Sequence, residues 1–197
     1  MQPQTLVFIG PSGSGKGTQA KQVTTFLEDR TNKSVLYVET GANFRGLANT
    51  ETTTAKIITS SMQAGDIQPT FLATHLWARE FINKLSSDMH LVIDGSPRRM
   101  LEAKLLDEAF RFYERRGVTA IHLTLSEATT HERLESRDRA DDKPDSIEHR
   151  LAQFKAETLP TADFYENNDR YNYAQIDAEQ SIENIQKDIQ AILLSND

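Results

Sequence analysis

Short apolar runs alternate along the chain with longer segments in which apolar residues recur at helical spacing. Five of these runs are predicted to form strands, at residues 6–9, 34–39, 91–94, 120–125 and 173–177. The main helices are predicted at residues 16–27, 101–116, 127–137, 145–164 and 182–194. Because strands that alternate with helices form a parallel sheet covered on both faces, we expect a three-layer α/β fold with a five-stranded parallel sheet.

The segment between the second and third predicted strands, residues 40–88, is helical in character throughout. It is much longer than an ordinary connection between two elements, so we interpret it as a small helical subdomain. The whole chain has 197 residues, which is enough for one substantial core with small insertions. We therefore expect a single domain.

A glycine-rich sequence, GPSGSGKGTQ, occupies residues 10–19 between the first strand and the first helix. Glycines let backbone N–H groups converge on phosphate oxygens, and a helix N-terminus adds unpaired N–H groups and partial positive charge. Lys16 is placed to act as a point charge between the outer phosphates. The usual Ser or Thr after the lysine is Gly17 here, and the first hydroxyl is that of Thr18. The segment is predicted to be a variant phosphate-binding loop.

The third predicted strand leads into a second polar segment, DGSPRR, at residues 94–99. An acidic residue at a strand end beside a phosphate loop, here Asp94, is suited to holding Mg²⁺ directly or through water. Arg98 is placed to bind a second phosphate with its forked guanidinium. The alternative is an ordinary turn with two solvated arginines, but a position at the carboxyl end of a parallel strand favours function.

Two weaker signals accompany these segments. Thr40 and Gly41, with Arg45 close behind, could bind a phosphomonoester near a helix N-terminus, although Thr-Gly is also ordinary capping chemistry. Four arginines surround a short loop that contains two aspartates, and we interpret them as a mobile phosphate-binding cluster rather than a salt-bridged surface helix. These arginines are Arg133, Arg137, Arg139 and Arg150.

The chain offers many arginines but no conspicuous general base or nucleophile. A phosphate acceptor needs no base, because its oxygens are largely deprotonated near pH 7, with a second pKa of about 6. Positioning and charge neutralisation by lysine, arginines and Mg²⁺ then suffice. The pattern therefore predicts phosphoryl transfer to another phosphate.

Charge and composition narrow the classes of function. The formal net charge of −7 argues against a general nucleic-acid or anionic-membrane surface. The absence of cysteine excludes disulfides and thiolate zinc sites. No apolar run approaches the ~20 residues of a membrane span, and no basic-then-apolar leader precedes the first strand, so we expect a cytoplasmic protein.

In their order along the chain, these segments resemble the motifs of the adenylate kinases and related nucleoside monophosphate kinases. The sequence at residues 10–19 is typical of that family, including Gly17, and residues 94–98 resemble its Asp-Gly-aromatic-Pro-Arg motif. Thr40-Gly41 with Arg45, followed by GDIQP at residues 65–69, resembles its monophosphate-binding segment. RADD at residues 139–142, with the helix that follows, resembles its lid. The resemblance covers almost the whole chain.

The resemblance implies a function and a division of the chain. It implies reversible, Mg²⁺-dependent transfer of the γ-phosphoryl group of ATP to AMP by a monomer, with Asp94 organising Mg²⁺ through water. It also implies a core at residues 1–39, 89–136 and 146–197, a monophosphate-binding subdomain at 40–88 and a minimal lid at 137–145. So short a lid leaves no room for the zinc-bearing form of the family, in agreement with the lack of cysteine.

The resemblance further implies roles for individual residues. The ATP-binding residues would be Gly13, Ser14, Gly15, Lys16, Gly17, Thr18, Arg133 and Arg137, with Arg133 stacked on the adenine. The monophosphate-binding residues would be Thr40, Gly41, Arg45, Asp66, Ile67, Gln68, Gly95, Arg98, Glu102, Arg139 and Arg150. The catalytic residues would be Lys16, Arg98, Arg137, Arg139 and Arg150.

The departures from the family concern mainly the acceptor side, at Ala42, Gln68, Ser96 and above all Glu102. Glu102 replaces the glutamine that reads adenine, and a carboxylate only accepts hydrogen bonds. Guanine offers two adjacent N–H donors, so one hypothesis is that the acceptor preference has moved toward GMP. The alternative is that Glu102 faces solvent and a neighbouring group reads adenine.

Two other functions stay open on the sequence. One is a kinase that phosphorylates a metabolite hydroxyl, for which Glu102 is the only base candidate in the pocket. The other is a nucleotide sensor without catalysis, although such a protein is expected to lose Lys16 or the arginines, and all are present.

Overall fold

The computed structural model describes residues 2–136 and 144–195. Its strands are β1 (Thr5–Ile9), β2 (Val35–Glu39), β3 (His90–Asp94), β4 (Val118–Thr124) and β5 (Tyr171–Asp177). They form a parallel sheet in the order β2-β3-β1-β4-β5. The predicted five-stranded parallel sheet is confirmed, although every strand except β2 begins one or two residues earlier than the pattern indicated.

Helices cover the two faces of the sheet and fill the segment between β2 and β3. They are α1 (Lys16–Thr31), α2 (Thr40–Ala48), α3 (Thr53–Ala64), α4 (Thr70–Lys84), α5 (Met100–Phe112), α6 (Glu127–Glu135), α7 (Pro144–Gln153), α8 (Leu159–Glu166) and α9 (Ile182–Ser195). Within the described ranges, none of them combines the length and the apolar character needed to cross a membrane.

The core lies on both faces of the sheet, and β1 is therefore buried along its whole length. Its side chains alternate, as the pleat of a strand requires. Val7 and Ile9 pack in one cluster with Leu106 and Phe110 of α5, whereas Phe8 packs in another with buried residues of α1 and α9. This double burial explains why β1 reads as an uninterrupted apolar run.

Three predicted helices end earlier than expected, of which the helix predicted over 127–137 ends at Glu135. The helix predicted to reach residue 116 ends at Phe112, because the chain turns inward and buries Arg115. Its guanidinium donates to Thr5 Oγ1 and to the Met89 carbonyl oxygen, each at 2.8 Å. The helix predicted over 145–164 is broken by a π-helical segment (Phe154–Thr158), followed by Pro160 in the first turn of α8. Proline has no N–H to continue a helical ladder.

Helices α2, α3 and α4 share a small apolar cluster of their own. It consists of Phe44, Ile58, Ala73 and Leu76. The helical character predicted for this stretch is therefore observed, whereas the division into core, subdomain and lid stays a prediction.

Candidate active site

A cavity of about 440 Å³ opens where the carboxyl ends of β1, β2 and β3 meet. Its walls come from the loop before α1, the start of α2, the connection between α3 and α4, the start of α5, and single arginines of α6 and α7. Every predicted site residue in the described ranges lines this cavity except Ser14, which is buried in the loop. Arg137 and Arg139 lie outside the described residues.

The glycine-rich loop forms one side of the cavity. α1 begins at Lys16, and among the described residues no side chain caps its N-terminus, so its first N–H groups are available to an anion. The Lys16 ammonium lies over the loop and donates to the carbonyl oxygens of Gly10 and Pro11 at 2.8 Å each. The loop residues that line the cavity are Gly13, Gly15, Lys16, Gly17 and Thr18. Uncapped N–H groups and a fixed ammonium suit a polyphosphate.

Asp94, at the end of β3, faces this loop. Burial raises the pKa of its carboxyl group, whereas the positive charge of Lys16 lowers it. A Cβ atom at position 17 would lie only 3.2 Å from Asp94 Oδ2, which gives a physical reason for Gly17 where a hydroxyl residue is usual. The Tyr37 hydroxyl donates to the same oxygen at 3.3 Å. The carboxylate is therefore held beside the phosphate loop.

Sequence reasoning missed two residues beside Asp94, namely Tyr37 and Glu39. Glu39 is the last residue of β2, is paired in register with Asp94 and lines the cavity. Its carboxylate contacts the Arg45 guanidinium at 2.7 Å and the Lys21 ammonium at 3.9 Å. Its position at a strand end was a usable signal, but the sequence did not reveal that β2 lies next to β3.

Side chains just beyond the ends of β2 and β3 also join the two strands. The Thr40 and Ser96 hydroxyl groups lie 2.8 Å apart, and the Arg98 Nε donates to the Gly95 carbonyl oxygen at 3.1 Å. Burial lowers the pKa of Arg98, and the Glu102 and Asp94 carboxylates raise it again. Arg98 is therefore a fixed positive group near the end of β3.

Glu102 lies in the first turn of α5 with only 2% of its surface exposed, so the alternative that it faces solvent is wrong. Its Oε2 accepts a hydrogen bond from the Arg98 backbone N–H at 2.8 Å. Its Oε1 is buried and has no well-formed hydrogen bond within the described residues, although the Ser96 and Trp77 side chains approach the carboxylate. Burial raises the pKa of Glu102, while the Arg98 N–H, Ser96 and Trp77 favour its charged form.

Gln68 is a second polar side chain of the cavity wall. Its amide nitrogen donates to Ser61 Oγ at 3.0 Å and to the Asp66 carbonyl oxygen at 3.1 Å. Because Asp66 offers only an acceptor there, this contact fixes the orientation of the amide. Gln68 Oε1 is buried and accepts no hydrogen bond within residues 2–136 and 144–195. Two buried oxygens of the wall, one from Gln68 and one from Glu102, thus have acceptor capacity that the hydrogen bonds named above do not use, although neither is itself exposed to the cavity.

Two arginines of the predicted cluster reach the cavity from other helices. The Arg133 guanidinium donates to the carbonyl oxygens of Ala178 at 2.9 Å and Gly13 at 3.4 Å, and so connects the loop with the turn after β5. Arg150, on α7, donates to the Ser146 carbonyl oxygen at 3.2 Å and lines the cavity. The site therefore brings together positive groups that are far apart in the sequence.

The sheet is parallel, and a phosphate loop follows its central strand and faces arginines across the same cavity. This is the architecture of a P-loop phosphotransferase. The family model described as "Adenylate kinase" matches residues 8–170, and the chain belongs to the adenylate kinase family. It is an enzyme of the nucleoside monophosphate kinase class.

Individual curated relatives agree with the family model. The chain is 32% identical over 180 residues to an adenylate kinase of Corynebacterium urealyticum, which covers 91% of this chain and 93% of the relative. It is 29% identical over 192 residues to an adenylate kinase of Cyanothece sp., covering 95% and 94%. It is 31% identical over 163 residues to an adenylate kinase of Mycobacterium leprae, covering 81% and 84%. The resemblance stated from the sequence motifs is confirmed.

Proposed function

We propose that the enzyme transfers the γ-phosphoryl group of Mg·ATP reversibly to AMP. The observation that carries this proposal is the single cavity, in which the phosphate loop and the arginines of the other wall face a common space. Donor and acceptor phosphates of opposite walls could meet there without an intervening layer of protein. Such positioning, together with charge neutralisation, is the main source of catalysis in phosphoryl transfer.

On the donor side, the loop residues Gly13 to Thr18 would hold the ATP phosphates. Lys16 would bridge toward the transferred group, which requires its ammonium to exchange loop carbonyl oxygens for phosphate oxygens. Arg133 would contact the donor adenine, and its link to the turn after β5 supports a location at that end of the cavity. Arg137 would join this group as part of the lid.

On the acceptor side, Arg45 and Arg98 would bind the monophosphate. Arg98 is preorganised by the Gly95 carbonyl oxygen, whereas Arg45 is held by Glu39. Arg150 and Arg139 would neutralise the charge of the phosphoryl group during transfer. The remaining residues proposed to bind the acceptor are Thr40, Gly41, Asp66, Ile67, Gln68, Gly95 and Glu102, all of which line the cavity.

The residues present fit a Mg²⁺ ion that takes most of its ligands from phosphates and water. In the described part of the chain, no three His, Cys, Asp or Glu residues are grouped to hold a metal on their own. Asp94 provides one hard oxygen donor beside the loop, as Mg²⁺ prefers. When bound with ATP, the ion would neutralise developing charge on the phosphates.

A second candidate acceptor is GMP, and the wall at Glu102 and Gln68 favours it. Adenine would present its 6-amino group to the oxygens of these two side chains but leave its N1 acceptor facing acceptors. Guanine presents both N1–H and the 2-amino group. Since Glu102 Oε2 already accepts the Arg98 N–H, the two guanine N–H groups would be shared between Glu102 and Gln68 rather than both donate to one carboxylate.

Parallel phosphoryl-transfer assays with Mg·ATP and AMP, GMP, CMP, UMP or dTMP test the proposal, with EDTA as the control for metal dependence. Highest kcat/KM with AMP supports the assignment. Highest kcat/KM with GMP supports the second candidate. No transfer to any of the five contradicts both. Location in the cytoplasm and a monomeric state stay predictions.

A further inference from the structure

The connection between α3 and α4 contacts α7 through a cluster that joins two proposed acceptor-binding residues to two residues of α7 with no assigned role. We name it the α7 bridge and define it by Asp66 and Ile67 of the connection and by His149 and Gln153 of α7. Asp66 and Ile67 also line the main cavity. The bridge therefore connects α7 directly to the proposed acceptor wall.

Gln153 supplies the central contact of the bridge. Its Oε1 accepts the backbone N–H of Ile67 at 2.8 Å. Ile67 lies beyond the end of α3 and before the start of α4, so this N–H has no helical partner. The Gln153 amide nitrogen lies 3.0 Å from His149 Nε2. Because Oε1 is committed to an N–H donor, the amide orientation is fixed with its NH₂ group toward His149.

His149 extends the bridge to Asp66. Its Nε2 lies 2.8 Å from Asp66 Oδ1. One ring nitrogen carries at most one proton, so Nε2 either donates to Asp66 or accepts from Gln153. Asp66 is also held by the Ser61 hydroxyl, which donates to Oδ2 at 3.2 Å. The connection thus contacts α7 through the backbone of Ile67 and through the side chain of Asp66.

The two surfaces also fit closely where no hydrogen bond is formed. A Cβ atom on Gly65, whose φ is +84°, would lie 2.8 Å from the Ser146 carbonyl oxygen and 3.2 Å from Arg150 Cγ. Ser146, Arg150 and Gln153 lie about one turn apart along α7 and form one face of the helix. The face that carries Arg150 into the cavity is therefore also the face that holds the acceptor wall.

We propose that Gln153 is a positioning residue for the acceptor nucleotide, acting through the Ile67 backbone. This inference rests on the proposed function, in that the connection must bind the acceptor. Loss of the Gln153 contact should release the wall and weaken acceptor binding, while the ATP phosphates, held by the loop before α1, keep their contacts. The expected signature is a change in the KM for the acceptor without a matching change in the KM for ATP.

Steady-state kinetics of Gln153→Leu, with the acceptor that the unmodified enzyme uses best, test this proposal. We expect the acceptor KM to rise about 3- to 10-fold, as for loss of one hydrogen bond, with the KM for ATP changed less than about 2-fold. Gln153→Glu keeps an acceptor for the Ile67 N–H and should restore much of the affinity. Gln190→Leu makes the same replacement on α9, outside the cavity lining, and should change neither KM.

Amide exchange at Ile67 provides a readout that needs no activity, and Gln153→Leu should accelerate it. An unchanged acceptor KM, or an equal rise in both KM values, contradicts the role of Gln153. If Gln153→Leu fails to fold, Gln153→Asn, whose shorter side chain cannot reach Ile67, gives the same test. Failure of the unmodified enzyme to phosphorylate any monophosphate contradicts the proposed function instead, and the two failures are distinguishable.

Discussion

The Tyr37 hydroxyl donates a hydrogen bond to Asp94 Oδ2 at 3.3 Å, across the ends of two neighbouring strands. Tyr37 thereby orients the carboxylate that we propose to organise Mg²⁺, in an environment where burial already raises the pKa of that carboxylate. The interaction links a residue that the motifs did not indicate with one that they did.

Replacing Tyr37 by Phe should weaken the use of Mg²⁺ without removing the fold. Loss of one hydrogen bond costs about 0.5–1.5 kcal/mol, so the Mg²⁺ concentration for half-maximal activity should rise about 2- to 10-fold. Titration of activity against Mg²⁺ at saturating ATP measures this. Tyr113→Phe removes a hydroxyl outside the cavity lining and serves as the control. An unchanged Mg²⁺ dependence in Tyr37→Phe contradicts the orienting role.

Replacing Lys16 by Met should abolish phosphoryl transfer in a folded protein. The ammonium is the positive charge fixed over the loop, and removing a group that stabilises transition-state charge lowers kcat by a factor of about 10² or more. Stopped assays of kcat, with circular dichroism to verify folding, measure the effect. Lys104→Met, at an exposed position of α5, should retain full activity. A folded and fully active Lys16→Met variant would overturn the donor-site assignment.

Replacing Glu102 by Gln should raise the use of AMP relative to GMP. An amide offers both a donor and an acceptor, so it can satisfy the adenine N1 and 6-amino groups that a carboxylate cannot satisfy together. We expect the AMP/GMP ratio of kcat/KM to increase about 3- to 10-fold. Glu108→Gln makes the same change at an exposed position of α5. Equal ratios in the two variants would show that Glu102 does not read the base.

His90 should make the protein less stable as the pH falls. Its Nδ1 accepts the Gln4 backbone N–H at 2.9 Å, and its Nε2 lies 2.9 Å from Thr31 Oγ1, whose proton goes to the Leu27 carbonyl oxygen. This network requires a neutral ring. Burial, with the charges of Lys33 and Arg115, lowers the pKa of His90 to about 4 from an ordinary value of about 6.5.

The unfolded state therefore takes up a proton before the folded state does, and the free energy of unfolding should fall between about pH 6.5 and pH 4. His90→Asn, which keeps an acceptor for the Gln4 N–H but cannot titrate, should flatten this decline in denaturant titrations at several pH values. His75→Asn, at an exposed position, should not. The same slope in all three proteins contradicts the linkage.

Sequence patterns predicted the sheet and most of the cavity lining for identifiable reasons. β1 and β3 are buried on both faces and read as continuous apolar runs, and the phosphate loop has a local composition that few other structures need. The early end of α5 was not predictable, because it depends on the contacts of Arg115 with Thr5 and Met89, which are distant in sequence.

The same limit applies within the site. Tyr37 and Glu39 belong to the site only because β2 lies beside β3. The order of strands in a sheet cannot be predicted from the local spacing of apolar residues. The burial of Glu102 depends on how α5 begins and on its contact with the Arg98 backbone. The sequence therefore indicated which short segments carry suitable side chains, whereas only the folded structure shows which of these segments lie close together.

Arg115 stabilises the sheet at the amino ends of its strands, away from the cavity, where its guanidinium also donates to the Gln4 carbonyl oxygen at 3.1 Å. One buried side chain thus ties the beginning of β1 to the residue just before β3. Nucleotides must enter and leave at the carboxyl ends of the strands, where the cavity walls are loops and helix ends. We expect thermal motion to be graded along the strands, smallest at this anchor and largest at the cavity mouth, so that the enzyme opens for exchange of its nucleotides without loosening its core.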